Sequence, residues 1–439
     1  MIKNILANLL GRSSAVILSI VFTPLIINQL GFEAYGIIAF ANIILATTSL
    51  IDMGFSISLN RTIAKNSNNI KQNENIATLI NNYESFFLIC FGLIASVGLL
   101  FGYFIQDIFL NTSIYSSSFL YICVVIIFIN SAIRLPINTF VAVFLGLERH
   151  VFVNIFLFLF SFSRIVIALS IAAYYSDIIL FFLIQCLISF LEFIFIRIFA
   201  DRETGYKNLS GKFSLRVFLP EIKTSINIGF ITVLALLISQ YDKILFSSYL
   251  SLEDFGKYGV IAMIVAGIVS LGYPIATSFF PRMSKVSKDT ELLFKNFKFG
   301  SSILVIMLMP LTSLIFFYAD DILKIYLGGD GLGLEFSAYL SALAFFALFS
   351  GMRPLTSNYF FASLIEYKLK NYYLIFIFVY IPILPIFLFT KSLYSTVIIL
   401  SILNAIFFVY LFFKCLHDME QSIVANFVKL LLIPAFLIF

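Results

Sequence analysis

The sequence predicts an all-α polytopic membrane protein of twelve transmembrane helices, arranged as two pseudo-symmetric six-helix lobes. Three observations carry this. Of 439 residues, 61% are hydrophobic and only 12% are charged, with a mean hydropathy of +1.04, whereas soluble domains carry about 25% charged residues. Apolar runs repeatedly exceed the roughly 20 residues that cross a hydrocarbon core as a helix. Short motifs recur at offsets of 219 and 220 residues. A soluble enzyme is excluded by the composition, and a transmembrane β-barrel by the lack of short alternating segments.

Apolar runs bounded by polar or turn residues place the first six spans at 5–27, 35–59, 83–105, 119–145, 151–175 and 178–199. The second six fall at 225–249, 258–280, 294–318, 336–360, 372–389 and 393–413. A further apolar stretch, 423–439, contains Lys429 and either crosses as a thirteenth span or lies in the interface. The hydrophilic stretch 200–223 divides an N-terminal lobe, 1–199, from a C-terminal lobe, 224–414, with 415–439 as a tail. The first span has no small-residue cleavage site after it and is expected to be retained.

The repeat supports this division. Leu30, Glu33, Tyr35 and Gly36 entering the second span match Leu250, Glu253, Phe255 and Gly256 entering the eighth. Ser131, Ile133 and Arg134 in the fourth match Ser350, Met352 and Arg353 in the tenth. Six spans separate the copies, so both halves have the same topology, related by an axis along the membrane normal.

Lys and Arg in the connections number 19 on one face and three, Lys257, Lys324 and Lys391, on the other. Basic residues are retained on the cytoplasmic side, so the N-terminus is expected there. Most of the net charge of +5 is thus a topology signal, and no nucleic-acid partner is expected. Cys90, Cys123, Cys186 and Cys415 sit inside or just after spans in no paired motif, so no structural disulfide is expected. His150 and His417 lie alone at the ends of different spans, leaving zinc or haem without ligands; no metal or cofactor is expected.

Ionisable residues at membrane depth cost about 2.5 kcal/mol or more on insertion scales, and so face a protein interior or a watery cavity. They are Arg12, Asp52, Arg134, Arg164, Glu192, Asp242, Lys243 and Arg353. Arg12 shares a helix face with Asn4, Asn8, Ser19 and Thr23. Arg134 has Asn130 and Asn138 one turn away on either side; Arg353 has Ser350 and Ser357, and Arg164 has Ser161. A lumen lined by Arg12, Asn8, Arg134, Asn138, Arg353 and Arg164 suits a substrate bearing phosphate and sugar. The competing reading is packing, with each arginine on a carboxylate or on carbonyls freed near Pro136 and Pro354. Arg134 and Arg353, equivalent in the repeat, are expected to hold a pyrophosphate between the lobes.

Asp52 and Asp242 are candidates for binding a coupling proton or sodium ion, although Asp242 adjoins Lys243 near a span end where water hydrates both. Glu192 reads as an interfacial ion pair with Arg197. Catalytic constellations are otherwise absent: residues 328–333 (GGDGLG) are a short loop, and Glu253 with Asp254 or Asp320 with Asp321 are solvated helix ends. The chain is not expected to be an enzyme.

The run 4–29, LGFEAYGIIAF at 30–40, IDMGFSISLNRTIA at 51–64 and SQYDKILFSSYLSLEDFGKYGV at 239–260 resemble the Wzx-type polysaccharide (O-antigen) flippases. That family belongs to the multidrug/oligosaccharidyl-lipid/polysaccharide exporter superfamily, and the resemblance covers essentially the whole chain. It implies a bacterial inner-membrane protein that moves an undecaprenyl-pyrophosphate-linked oligosaccharide to the periplasmic leaflet through a cationic cavity opening alternately to each side. The implied partners are that lipid-linked substrate, the bilayer, and polysaccharide polymerase and chain-length machinery. Three rivals stand beside it. A drug exporter of the same superfamily usually wants an acidic lumen. An O-antigen polymerase commonly carries a large outward loop, whereas the longest here, 319–335, has 17 residues. A peptidoglycan-precursor flippase shares the pyrophosphate and lipid, but usually has more spans.

Overall fold

The computed structural model describes residues 14–52, 55–65, 74–204, 215–329, 331–390 and 392–422. These are nearly all helical and contain no strand, only one isolated parallel bridge between Asn111 and Ser251. In chain order the helices are α1 (Ser14–Thr48), α2 (Phe55–Lys65), α3 (Glu74–Phe109), α4 (Ser117–Gly146), α5 (His150–Tyr175) and α6 (Ile178–Thr204). They continue with α7 (Leu215–Tyr249), α8 (Leu252–Lys285), α9 (Thr290–Leu327), α10 (Leu334–Ala362), α11 (Glu366–Thr390) and α12 (Leu393–Asp418).

Among the described residues, eleven helical segments are long and apolar enough to cross a membrane. The first is two helices in one: Gly31, at φ 84° and ψ 172°, breaks α1 into arms 14–30 and 32–48. That conformation is open to glycine and strained for residues with a Cβ. The two arms account for the first two of the expected spans, which brings the count among the described residues to twelve.

Hydropathy places the spans well and their ends less well. The second was expected to run through residue 59, but helix stops at Thr48, a 3₁₀ turn covers Ser49–Asp52, and α2 begins at Phe55. Asp52 Oδ1 accepts from the Ser56 backbone N–H at 2.9 Å and from its hydroxyl at 2.8 Å. This is a local side-chain alternative to the helical ladder. Elsewhere helices overrun the apolar run. α9 takes in 38 residues, broken at Tyr318 (φ −119°, ψ 27°), because its ends carry Glu291, Lys295, Asp320 and Lys324 and need no hydrocarbon. The hydrophilic stretch expected at 200–223 is likewise largely helix, α6 running to Thr204 and α7 starting at Leu215.

Between helices in lipid, association rests on close packing and polar contacts, since the tails are as apolar as leucine. Phenylalanine supplies much of the packing here: Phe376 stacks on Phe407 at 4.2 Å, and Phe297 lies 5.5 Å from Phe412. Small residues supply close crossings. A Cβ at Gly36 would lie 2.4 Å from the Leu252 carbonyl oxygen, and one at Gly256 would lie 2.1 Å from that of Phe32. Under the offset of 220, Gly36 corresponds to Gly256 and Phe32 to Leu252. The two contacts are therefore mates under a local two-fold axis, which is how a pseudo-symmetric repeat meets itself.

The chain packs as two compact units. One is Leu25–Gly256; among the described residues the other comprises 14–24 and 257–422. In the first, Asn111 ties the α3–α4 turn to the start of α8, accepting from Leu252 N–H at 2.7 Å and donating to the carbonyls of Ser248 and Leu250. In the second, Thr23 meets Met263 Sδ at 3.1 Å, and the Tyr326 hydroxyl donates to the Ile20 carbonyl at 2.5 Å. These units follow neighbourhood in space, and their boundaries do not coincide with the stretch 200–223, where the sequence is expected to divide.

Candidate functional site

Helices α4, α5 and α6 bring three of the deep charges together. In the unit 25–256, Arg134 lies on α4, Arg164 on α5 and Glu192 on α6. Arg164 is 6% exposed and Glu192 2%. Arg164 Nη2 donates to Glu192 Oε2 at 2.5 Å, an ion pair sealed from solvent. Charge-assisted bonds of this kind are roughly twice as strong as neutral ones. Arg197, expected to pair with Glu192, instead pairs with Glu84 of α3 at 2.8 Å.

Arg134 is half-buried and within electrostatic reach of both Arg164 and Glu192. It has no hydrogen bond or ion pair with another described residue. The cluster thus holds two guanidinium groups and one carboxylate. Around it, three buried polar atoms find no partner among the described residues: Asn130 Oδ1 one turn before Arg134, Ser189 Oγ one turn before Glu192, and Arg164 Nε itself. Asn138, on the other side of Arg134, is half-buried.

In the other unit Arg353 on α10 is 9% exposed, and its Nη1 donates to Asn404 Oδ1 of α12 at 3.3 Å. The Asn404 amide is held in turn, donating to the Leu400 carbonyl at 3.0 Å. Ser350 Oγ, one turn from Arg353, is buried without a partner among the described residues. Arg134 and Arg353 are equivalent in sequence but differ in surroundings: Arg353 is turned onto an amide of its own unit, whereas Arg134 stands beside a second arginine. Arg12 and Asn8 lie outside the described residues.

Of the two coupling candidates, Asp52 is engaged at the start of α2 as described. Asp242, 4% exposed, is deeper than its position near a span end suggests; Lys243 Nζ stands 3.4 Å from it and donates to the Ser239 carbonyl at 2.7 Å.

Sequence reasoning missed the Arg164–Glu192 pair, yet a signal existed. Arg164 stands 11 residues before the end of α5 and Glu192 14 residues after the start of α6, and the two helices form a tight hairpin through Ser176 and Asp177. Matching depth from the turn puts the two side by side. It also missed an apolar cavity of about 370 Å³, lined by Ile17 and Ile20 of α1, Ile264 and Ile268 of α8, and Leu311 and Ile315 of α9. Such a lining takes hydrocarbon and offers nothing to a sugar.

A many-helix bundle with charges held at membrane depth defines the class: a multi-pass helical membrane protein. Residues 1–287 match the model of the polysaccharide biosynthesis protein family, and the chain belongs to that family. No curated protein matches in sequence. Among solved structures, the lipid II flippase MurJ in an inward closed conformation is similar over 100% of this chain and 92% of that one, with a TM-score of 0.70 and 16% identity. The MATE multidrug transporter DinF-BH is similar over 96% of each chain, with a TM-score of 0.70 and 13% identity. A superfamily transporter from Pyrococcus furiosus, described as having a binding pocket of reversed polarity, is similar over 96% of this chain and 97% of that one. Its TM-score is 0.61 and its identity 14%. At these identities the likeness is one of fold.

Proposed function

We propose that this protein is a flippase that carries an undecaprenyl-pyrophosphate-linked oligosaccharide, the repeat unit of O-antigen or a related surface polysaccharide, from the cytoplasmic to the periplasmic leaflet. The observation that carries the reading is the cluster on α4, α5 and α6, where two guanidinium groups share the single carboxylate of Glu192 at membrane depth, in a chain of the polysaccharide biosynthesis family. Fixed cations at that depth favour a cargo whose head carries a diphosphate. Arg134 and Arg164 are its candidate ligands. Arg353 and Asn138 complete the set, with Arg12 and Asn8 from the first span. The apolar cavity by α1, α8 and α9 suits the isoprenoid part of such a cargo.

The protein resides in the bacterial inner membrane with its N-terminus in the cytoplasm, by the bias of basic residues. It hands its cargo to the polymerase and chain-length machinery on the far side and performs no bond chemistry itself. Two six-helix lobes, 1–199 and 224–414, alternate access, and Asp52 and Asp242 are candidates for the coupling ion.

A strain lacking the gene is expected to accumulate completed lipid-linked repeat units on the cytoplasmic leaflet, detected by leaflet-specific labelling. A strain that instead displays single repeats at the surface has lost a polymerase, and that phenotype would reject the flippase reading. A second reading, a peptidoglycan precursor as cargo, shares the diphosphate and lipid; the identity of the accumulated glycan separates the two.

A further inference from the structure

The cluster on α4, α5 and α6 has a charge imbalance that packing leaves unresolved. An arginine at membrane depth normally finds a carboxylate, a carbonyl or a water-filled space. Arg134 has no bond to another described residue, and its charged neighbours are Arg164, which repels it, and Glu192, which Arg164 already holds. Arg164 spends one donor on Glu192, while its Nε stays buried and unpaired among the described residues. Asn130 at 4% exposure and Ser189 at 0% add two more unpartnered polar atoms on the faces of α4 and α6 that carry Arg134 and Glu192. Such groups inside a helical bundle are costly unless something completes them. What completes two guanidiniums and a hydroxyl is an oxyanion with several acceptor oxygens; Asn130 Oδ1 is itself an acceptor and calls for a donor such as a guanidinium N–H.

We infer that Arg134, Arg164 and Glu192 form a proton-linked diphosphate site, in which the ligand replaces the Glu192 carboxylate on Arg164, Arg134 supplies the second guanidinium, and the displaced Glu192 takes up a proton. The diphosphate assignment rests on the flippase reading; the exchange does not. In the empty site Glu192 stands in for a phosphate oxygen and keeps Arg164 oriented. When a diphosphate takes that donor, Glu192 would be left as an unpaired buried charge, and protonating its carboxyl oxygen removes that charge. Among the described residues, no other carboxylate is positioned to intervene. The charged groups facing Glu192 are Arg134 from α4 and Arg164 from α5, and on α6 itself Arg197 is occupied by Glu84. The remaining ionisable side chains along the interior of these helices are the thiols of Cys123 and Cys186. The occupied site thus holds one proton more than the empty one, so affinity rises as pH falls, by at most about tenfold per pH unit.

The test uses the full chain in phosphatidylcholine nanodiscs and dimethyl diphosphate, a diester that keeps its two negative charges from about pH 5 to about pH 8. Calorimetry in two buffers of unlike ionisation heat is expected to report uptake of close to one proton per ligand in the wild-type protein. Uptake of none overturns the linkage without recourse to any variant. E192Q is expected to bind at least as tightly as wild type at the acid end, with the pH dependence gone. Retention of the wild-type slope in E192Q also overturns it. R134A is expected to weaken binding about tenfold or more at every pH, and unchanged affinity in R134A removes Arg134 from the site. Methyl β-D-glucuronide, a glycoside that keeps its carboxylate free, is expected to bind more weakly; tighter binding than the diester overturns the diphosphate assignment. Proton-linked binding in a protein whose loss leaves repeat-unit export intact would sink the flippase reading and leave the site standing.

Discussion

At the scale of single residues, stability and function pull in opposite directions. Arg134 forms no ion pair with another described residue, and Arg164 repels it more strongly than Glu192 attracts it. Arg134→Ala is therefore expected to leave the thermal stability of the detergent-purified protein unchanged or raise it, while lowering transport; Arg134→Lys keeps the charge but loses the fork, and falls between. Glu192→Ala does the reverse. It leaves Arg164 buried beside a second arginine with no counter-charge, a loss of about 3–5 kcal/mol for one partner of a buried pair. A melting curve by intrinsic tyrosine fluorescence reads both signs, and an R134A variant less stable than E192A would refute the assignment of roles. The deep arginines were legible in the sequence, because a charge inside an apolar run stands out. Their partners were not: the Asn404 that receives Arg353 lies 51 residues away on another helix, and nothing local marks it.

Secondary-structure elements show where a hydropathy profile stops informing. It locates helices because lipid demands that every backbone group be bonded within the segment. It separates the two arms at Gly31, where 28–34 interrupt the apolar run, but passes over the stop at Thr48, which falls inside the expected second span. The glycines turn this into a prediction. At Gly256 a methyl group would lie 2.1 Å from a backbone oxygen that cannot swing aside, at Gly31 space is open but φ is +84°, and at Gly92 a Cβ meets nothing within 4 Å. Gly256→Ala is expected to reduce the folded protein recovered from membranes severely. Gly31→Ala costs about 1–2 kcal/mol of backbone strain, and Gly92→Ala gains up to about 1 kcal/mol as a helix-interior glycine replaced by alanine. Size-exclusion recovery and melting temperature rank the three. If Gly256→Ala behaves like Gly92→Ala, the close crossing of 32–36 with 252–256 is not formed in the membrane.

At the scale of the whole molecule, chain order and packing order differ. The repeat is legible because it is written in residues, such as Glu33 with Gly36 against Glu253 with Gly256. Which helices become neighbours is not, because nothing local in the sequence of α7 marks α2 and α3 as the elements it packs against. As a result α7, which follows the stretch 200–223, packs within Leu25–Gly256, and residues 14–24, which precede the first break, pack with 257–422. Cutting the gene between α6 and α7 therefore gives two fragments that each lack a piece of their own unit. Fragment 1–209 lacks α7, leaving the surfaces of α2 and α3 that α7 covers without a partner. Fragment 210–439 lacks the partners of Met263 and Tyr326. Expressed singly, each fragment is expected to be degraded or to elute as an aggregate; expressed together, they should copurify through a tag on either one and restore transport in the deletion strain. A fragment 1–209 that is monodisperse and stable alone would mean that α7 does not complete that unit, and the division at Gly256 would have to be redrawn at the stretch between α6 and α7.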